Sequence, residues 1–443
     1  MNDKLQIVSV EELLQLPLSI PPYQRPYTWS TKSASVLFAD IQQACEDHLV
    51  EYRIGSVILY KNRNCFEVVD GQQRLTTLSM LLYCLDMSFK GGLLKQNYKA
   101  ASRQSLANNY CTLSQLCANL DEDARQYMKT YIQKRCSVVV IEVQSEQEAF
   151  QFFDSQNSRG KELAPHDLLK SYHLREMNDE SVSEKTKIIN EWENTNQKLI
   201  ANIFENTLYP LVRWYKGLGG LGYSSKEIDA FKGVQRNNGF NYSIYHRSAN
   251  LYIEQANQNK IYELMSNQKI CQFQLTQPLI AGRRFFNYTL HYVELYQTVD
   301  KKMQVLFPEL YKGDYKEGQR ERGDWLVYNL LVNVAIFFMD RFGEKELADA
   351  VCRSLFSWVY MLRISLYSVY EESVNKYALG LHSFNNGVNM FALINQMNCP
   401  KDLYSIPLAR PDRKQLDSDE KKSYKERLNM YFDIWNKYSG IKV

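Results

Sequence analysis

Phe66-Glu67-Val68-Val69-Asp70-Gly71-Gln72-Gln73-Arg74-Leu75-Thr76-Thr77-Leu78 is the stretch on which the fold turns. Its first four residues are β-branched or aromatic around one carboxylate and read as a strand. From Leu75 to Met87 the chain is strongly apolar and reads as a helix. Only Asp70-Gly71 separates the two. Working outward, Gly55–Tyr60 reads as the partner strand, joined to Cys65–Val69 by the turn Asn62-Arg63-Asn64. Gly91-Gly92 ends the helix.

Further upstream, Val10–Leu16 is a short helical pattern that Pro21-Pro22 closes, which leaves Ser19–Ser30 extended or looped. Ser35–Leu49 is an amphipathic helix. Downstream, residues 95–135 are polar and helical, Val138–Val143 is a clear strand, Glu146–Phe153 returns to helix and Asn157–Gly160 is a loop. Pro165 opens another helix. Beyond residue 180 strand signals fade and helical patterns dominate: Lys185–Glu205, Leu251–Ser266, Phe285–Val305, Trp325–Arg341, Lys345–Val369 and Ser423–Lys437. The expected architecture is an α/β domain over residues 1–180 and an α-helical domain over 181–443, with a Gly-rich hinge near 217–243.

Composition bounds the function. The 443 residues are 45% hydrophobic and 23% charged, which excludes a disordered, collagen-like or coiled-coil chain. Fifty-three Lys and Arg against 50 Asp and Glu leave a net charge of +3, so nucleic acid would need a local basic groove. Nine scattered cysteines without C-x-x-C fit reduced thiols rather than disulfides or a zinc ribbon, and place the chain in the cytoplasm. The start has no signal-peptide core. The longest apolar run, Trp325–Met339, is short for a bilayer and reads as a buried helix, so no membrane partner is expected.

Three segments could carry chemistry. At Asp70-Gly71 a strand opens directly into a helix, whose free N–H groups and dipole favour anions, phosphates above all. Gly71 permits positive φ or close approach. Arg74 offers a planar fork matched to phosphate oxygens, Asp70 could hold Mg²⁺, and Gln72 and Gln73 could orient water. The competing reading is a plain turn with Asp70 as the cap. Ile20-Pro21-Pro22-Tyr23-Gln24-Arg25-Pro26-Tyr27-Thr28-Trp29 is a stiff aromatic loop; it either stacks on a base or packs over the core. Asn157 and Arg159 leave a helix at Gly160, followed by Lys161 and then Asp167-Leu168-Leu169-Lys170; the alternative is a connector with Leu163 and Leu168 turned inward. Gly217-Leu218-Gly219-Gly220-Leu221-Gly222 matches G-x-G-x-x-G but lacks the preceding strand of a dinucleotide site. None of the six histidines stands in a metal or H-E-x-x-H pattern.

In order and spacing, Ile-Pro-Pro-Tyr-Gln-Arg-Pro-Tyr-x-Trp, Val-Asp-Gly-Gln-Gln-Arg-Leu-Thr-Thr-Leu and Phe-x-x-x-Asn-x-Arg-Gly-x-x-Leu-x-x-x-Asp-Leu-Leu-Lys resemble the GmrS-like N-terminal family of GmrSD-type modification-dependent restriction systems. The close match covers residues 17–175. The resemblance implies a ParB/sulfiredoxin-like fold and Mg²⁺-dependent hydrolysis of a nucleoside triphosphate (GTP, ATP or CTP) in a defence system acting on modified phage DNA. It implies catalytic roles for Asp70, Gln72, Gln73 and Arg74, with Asp70 on the metal. It implies nucleotide contacts from Gly71, Thr76, Asn157, Arg159, Gly160 and Lys161, and a site-lining or DNA-sensing role for Tyr23, Gln24, Arg25, Pro26, Tyr27 and Trp29. After residue 300 the only histidine is His382, without the surroundings of an HNH centre, so cutting is expected from an HNH partner subunit. Homo-oligomers fit the same picture. Two alternatives stand beside hydrolysis: a nucleotide-switched DNA-binding module, and a helical scaffold.

Overall fold

The computed structural model describes residues 4–21, 24, 26–62, 64–98, 100–144, 148, 164–177, 180–235, 238–259, 270–310, 322–412 and 422–439. Its contacts divide the chain into two units, residues 1–163 and 164–443.

The first unit is built on five strands: β1 (Lys4–Ser9), β2 (Leu18–Ser19), β3 (Tyr52–Asn62), β4 (Cys65–Asp70) and β5 (Cys136–Val143). They lie in the order β1-β5-β3-β4-β2. β3 and β4 form the expected antiparallel hairpin, while β5 runs parallel to β3 and antiparallel to β1. Because successive side chains on a strand point to opposite faces, Val57, Leu59 and Val68 enter the main core, whereas Ile58, Val69 and Val143 form a small cluster of their own. The main core is completed by α1 (Val10–Gln15), α2 (Thr31–Glu46), α3 (Gln72–Leu85), α4 (Arg103–Ala118) and α5 (Glu122–Lys134), each contributing buried side chains to it.

Two strands had no sequence signal of their own. β1 leaves Leu5 and Ile7 exposed and is a strand because β5 supplies its ladder. β2 is two residues long, inside the segment expected to be extended or looped, and pairs with β4. The polar region 95–135 resolves into α4 and α5, with Asp121 capping α5 through the amide of Ala124. The helix expected at Glu146–Phe153 falls, apart from Glu148, outside the described residues.

The second unit is helical. α6 (Pro165–Arg175), expected at the end of the first domain, is grouped with this unit. The pattern Lys185–Glu205 is two helices, Val182–Asn194 and Gln197–Ile203, because Thr195 turns extended and the Asn196 side chain accepts from the amides of Lys198 and Leu199 to start a new one. The long helices that follow include α7 (Arg283–Leu306), α8 (Arg322–Phe342) and α9 (Asp349–Ser365). α8 is, at 21 residues, long and apolar enough to cross a membrane by length and composition, but 72% of its most apolar window is buried inside the protein. It is a core helix.

Within the segment expected to be a hinge near 217–243, Gly220 and Phe231 are held in place. Asn375 Oδ1 accepts from both Gly220 N (2.7 Å) and Trp214 Nε1 (2.9 Å), and Phe231 is buried. His173 is likewise structural: stacked on Phe285 at 3.9 Å, it donates from Nε2 to the Phe231 carbonyl and accepts at Nδ1 from Gly282 N. Full burial lowers its pKa to about 3, so it stays neutral.

Asp340 on α8 is the opposite case. Its carboxylate accepts from Leu275 N (2.8 Å) and Tyr292 Oη (2.5 Å), yet burial pushes its pKa up to about 7. The folded-state value lies above the unfolded value of roughly 3.9. The stability tied to the neutral acid is therefore fully present below about pH 4 and is lost as pH rises through about 7. Asp340→Asn keeps an acceptor for Leu275 N and removes the titration. The difference in Tm between the variant and the parent should shift in the variant's favour from pH 5 to pH 8, read by scanning calorimetry.

Candidate functional site

The junction of β4 and α3 is made by Gly71. Its φ of +95° lies in the left-handed region, and a Cβ there would stand 2.8 Å from Val57 Cγ2. No L side chain fits both conditions. Gly71 is the N-cap of α3, and no side chain caps the helix. The turn thus resolves against the plain reading in which Asp70 caps the helix. The first turn holds no acid; it holds a cation, Arg74, at the end where the helix dipole is already positive.

Arg74 reaches back across the sheet. Its Nη1 donates to the Ser56 carbonyl at 3.0 Å, and the guanidinium lies over Gly55, where a Cβ would be 2.8 Å from Nη1. β3 carries a register shift against β5 between Arg53 and Gly55. Gly55 and Ser56 hold Arg74 and were not singled out by the sequence reading; an isolated glycine within a strand was their signal. Among the described residues no carboxylate pairs with Arg74.

The two glutamines part company. Gln73 is buried and its amide is engaged on both sides: Oε1 accepts from Thr28 N (2.8 Å) and Trp29 N (3.2 Å), and Nε2 donates to the Pro26 carbonyl (3.1 Å). It holds a loop in place. Gln72 is equally buried, 5% exposed, yet its Oε1 has no hydrogen-bond partner. A buried, unpartnered acceptor costs about 1–3 kcal/mol and sits here beside the uncapped turn. Asp70, at the end of β4, is half-buried next to it.

The aromatic loop meets this corner. Gln24 Nε2 donates to the Val69 carbonyl. Tyr27 is wholly buried, with its hydroxyl 2.7 Å from Thr77 Oγ1 and accepting from Asn109 Nδ2 (2.8 Å); its own amide donates to Ser102 Oγ (2.9 Å). Burial raises its pKa. Tyr27 is therefore a core residue and is not placed to stack on a base, a correction to the sensing role, because the loop's hydroxyl and amide groups find partners only inside. Trp29 packs partly buried against the same core, and its carbonyl accepts from Asn109. Thr76, expected to contact nucleotide, is buried with its hydroxyl 3.1 Å from Tyr98 Oη. Asn109 and Ser102 were not singled out by sequence, since polar residues on α4 and its approach carry no motif.

The structure thus brings the first two segments together. Pro22, Tyr23 and Arg25 of the first, and Asn157, Arg159, Gly160 and Lys161 of the third, lie outside the described residues. Further on, Lys170 pairs with Glu193. His382 packs against Phe384 with its Nε2 3.3 Å from the Ser373 carbonyl.

Residues 10–174 match the model of the GmrSD restriction endonuclease N-terminal domain. This part of the chain is a GmrSD-type N-terminal domain. That domain includes both segments just described, the Gly71 junction and the Gln73-held loop, and such a domain is a component of restriction systems. Residues 184–425, more than half of the chain, match a family of unknown function, DUF7834, to which the chain belongs. A search of the curated proteins returns no match.

Two substitutions test how the GmrSD-type corner is held. Gly71→Ala forces Cβ against Val57 and a left-handed backbone on alanine; it should destabilise by about 1–3 kcal/mol, read as a fall in Tm. Gln73→Leu keeps the volume but strands the amides of Thr28 and Trp29. Hydrogen exchange at those two amides should accelerate by an order of magnitude or more while the amides of β5 stay protected.

Proposed function

We propose that the chain is a Mg²⁺-dependent, NTP-binding and hydrolysing sensor component of an anti-phage restriction system acting on DNA, with the triphosphate bound at the Gly71 corner. The observation that carries the reading is a positive corner with nothing to neutralise it: an uncapped helix start, the guanidinium of Arg74 without a carboxylate among the described residues, and the buried acceptor of Gln72 left open. A phosphate satisfies the first two, and a water or a metal-bound water satisfies the third.

Roles follow from placement. Arg74 neutralises charge on the transferred phosphoryl group, and the Ser56 carbonyl aims it. The first-turn amides of α3 hold phosphate oxygens. Gln72 orients the attacking water, and Gln73 acts by positioning the loop 26–29 rather than by touching the nucleotide. Asp70 with Gln72 fits a hydrated Mg²⁺ brought in with the phosphates, since this ion needs only one or two carboxylates besides the substrate. When bound, Mg²⁺ would neutralise charge on the β- and γ-oxygens. Asn157, Arg159, Gly160 and Lys161 complete the nucleotide contacts by the family pattern. A ParB/sulfiredoxin-like arrangement of the first unit belongs to the same reading, and so do a DNA contact and a separate HNH nuclease subunit that makes the cut.

Phosphate release from GTP, ATP and CTP with Mg²⁺, with and without modified DNA, tests it. Arg74→Ala should lower turnover on the order of 10²–10³-fold. Turnover at the parental rate in that variant would overturn the assignment. Nucleotide-dependent DNA affinity without phosphate release would replace hydrolysis by a binding switch.

A further inference from the structure

Helix α3 has a second functional end. The Gly71 corner is at its N-terminus; at its C-terminus, about 20 Å away for 14 residues, a cavity of about 540 Å³ opens between α1, α5 and the turn after α3. That volume lies within the roughly 300–1,000 Å³ range of small-molecule sites. All of its lining belongs to the first unit.

The lining specifies a chemistry. Leu14, Leu16 and Leu82 supply an apolar floor. Phe89, half-buried, supplies an aromatic wall, and its place is built in: a Cβ on Gly91 would stand 2.3 Å from the ring, so only glycine leaves room for it there. Gln15, exposed on α1, and Gln133, half-buried on α5, line the space. Each offers a donor and an acceptor side by side.

Charge excludes the obvious rival. Lys129 could bind a phosphate, but Asp86 already holds it at 2.6 Å. Lys90 is balanced by Glu11 on the same wall. Two cations against two carboxylates favour neither an anion nor a cation. What remains is a neutral molecule with one flat face for Phe89 and donors and acceptors to meet a largely polar lining.

We propose that this cavity binds a nucleobase, as a nucleoside or a nucleoside-like effector, with the base against Phe89 and its edge read by Gln15 and Gln133. The site is separate from the phosphate corner and does not rest on the NTPase reading. Because α3 joins the two, occupancy at one end is placed to bias the other.

The test uses the full chain with adenosine, guanosine, cytidine and thymidine, none of which carries a phosphate, followed by saturation-transfer NMR and calorimetry. At least one should bind saturably. Phe89→Ala should weaken it about tenfold or more, the value of a base–aromatic stack. Gln15→Leu with Gln133→Leu should change the ranking among the four. Gln133→Trp, on the solvent side of the cavity, should fill the space and abolish binding without unfolding the core. Arg74→Ala should leave nucleoside affinity unchanged, which separates this site from the phosphate corner. No saturable binding of any of the four at millimolar concentration, or full binding in a folded Gln133→Trp protein, overturns the proposal.

Discussion

The first unit depends on one constraint: β4 must become α3 within a single residue, above Val57. Gly71 alone satisfies it, by adopting a φ of +95° where a side chain would strike Val57 Cγ2. Every feature of the corner inherits its position from that turn. It leaves the helix without a side-chain cap and puts Gln72, Gln73 and Arg74 in an opening turn that itself holds no acid, with Asp70 just before it. Had Asp70 capped the helix, its carboxylate would have occupied the anion position itself.

Around that turn, a small number of buried polar groups do work that apolar packing could not. Gln73 bonds three backbone groups of the loop 26–29, so a segment with almost no secondary structure of its own is held against α3. Tyr27, Thr77, Asn109 and Ser102 extend the same network to α4. The network is not closed, since Asn109 Oδ1 is a buried acceptor without a partner among the described residues; Gln72 Oε1 is another, and of the two it is the one at the turn.

The helical unit follows another logic. α8 is buried nearly all round and is the core on which its neighbours pack. Its polar members are spent on structure: Arg363 of α9 holds Asp324 at its start, Asn333 reaches the Asn206 carbonyl, and Asp340 ties down Leu275. His173 spends both ring nitrogens on backbone groups. These buried polar groups tie helix to helix and helix to loop within the unit, although Asn333 Oδ1 has no partner among the described residues.

The sequence by itself determined the elements whose causes are local. A β-branched run meeting Asp-Gly and then an apolar run names a strand, a turn and a helix, because backbone propensity and side-chain periodicity act over a few residues; the three motifs in order named the GmrSD-type domain. Edge strands β1 and β2 were illegible because a strand of that kind is made by its partner's hydrogen bonds. The break at Asn196 was legible only as a cap, and the hold of the Asn375 side chain on Gly220 was not legible, because glycine reports freedom in the chain and not a distant side chain that limits it. Tertiary structure alone decided which residues of the motifs face the corner and which face the core. Tyr27 and Thr76 carry the motif yet turn inward, Gln73 serves a loop some 45 residues earlier in the chain, and Arg74 crosses to Ser56 on the neighbouring strand. Those outcomes depend on which distant segments pack together, and a one-dimensional pattern does not contain that information.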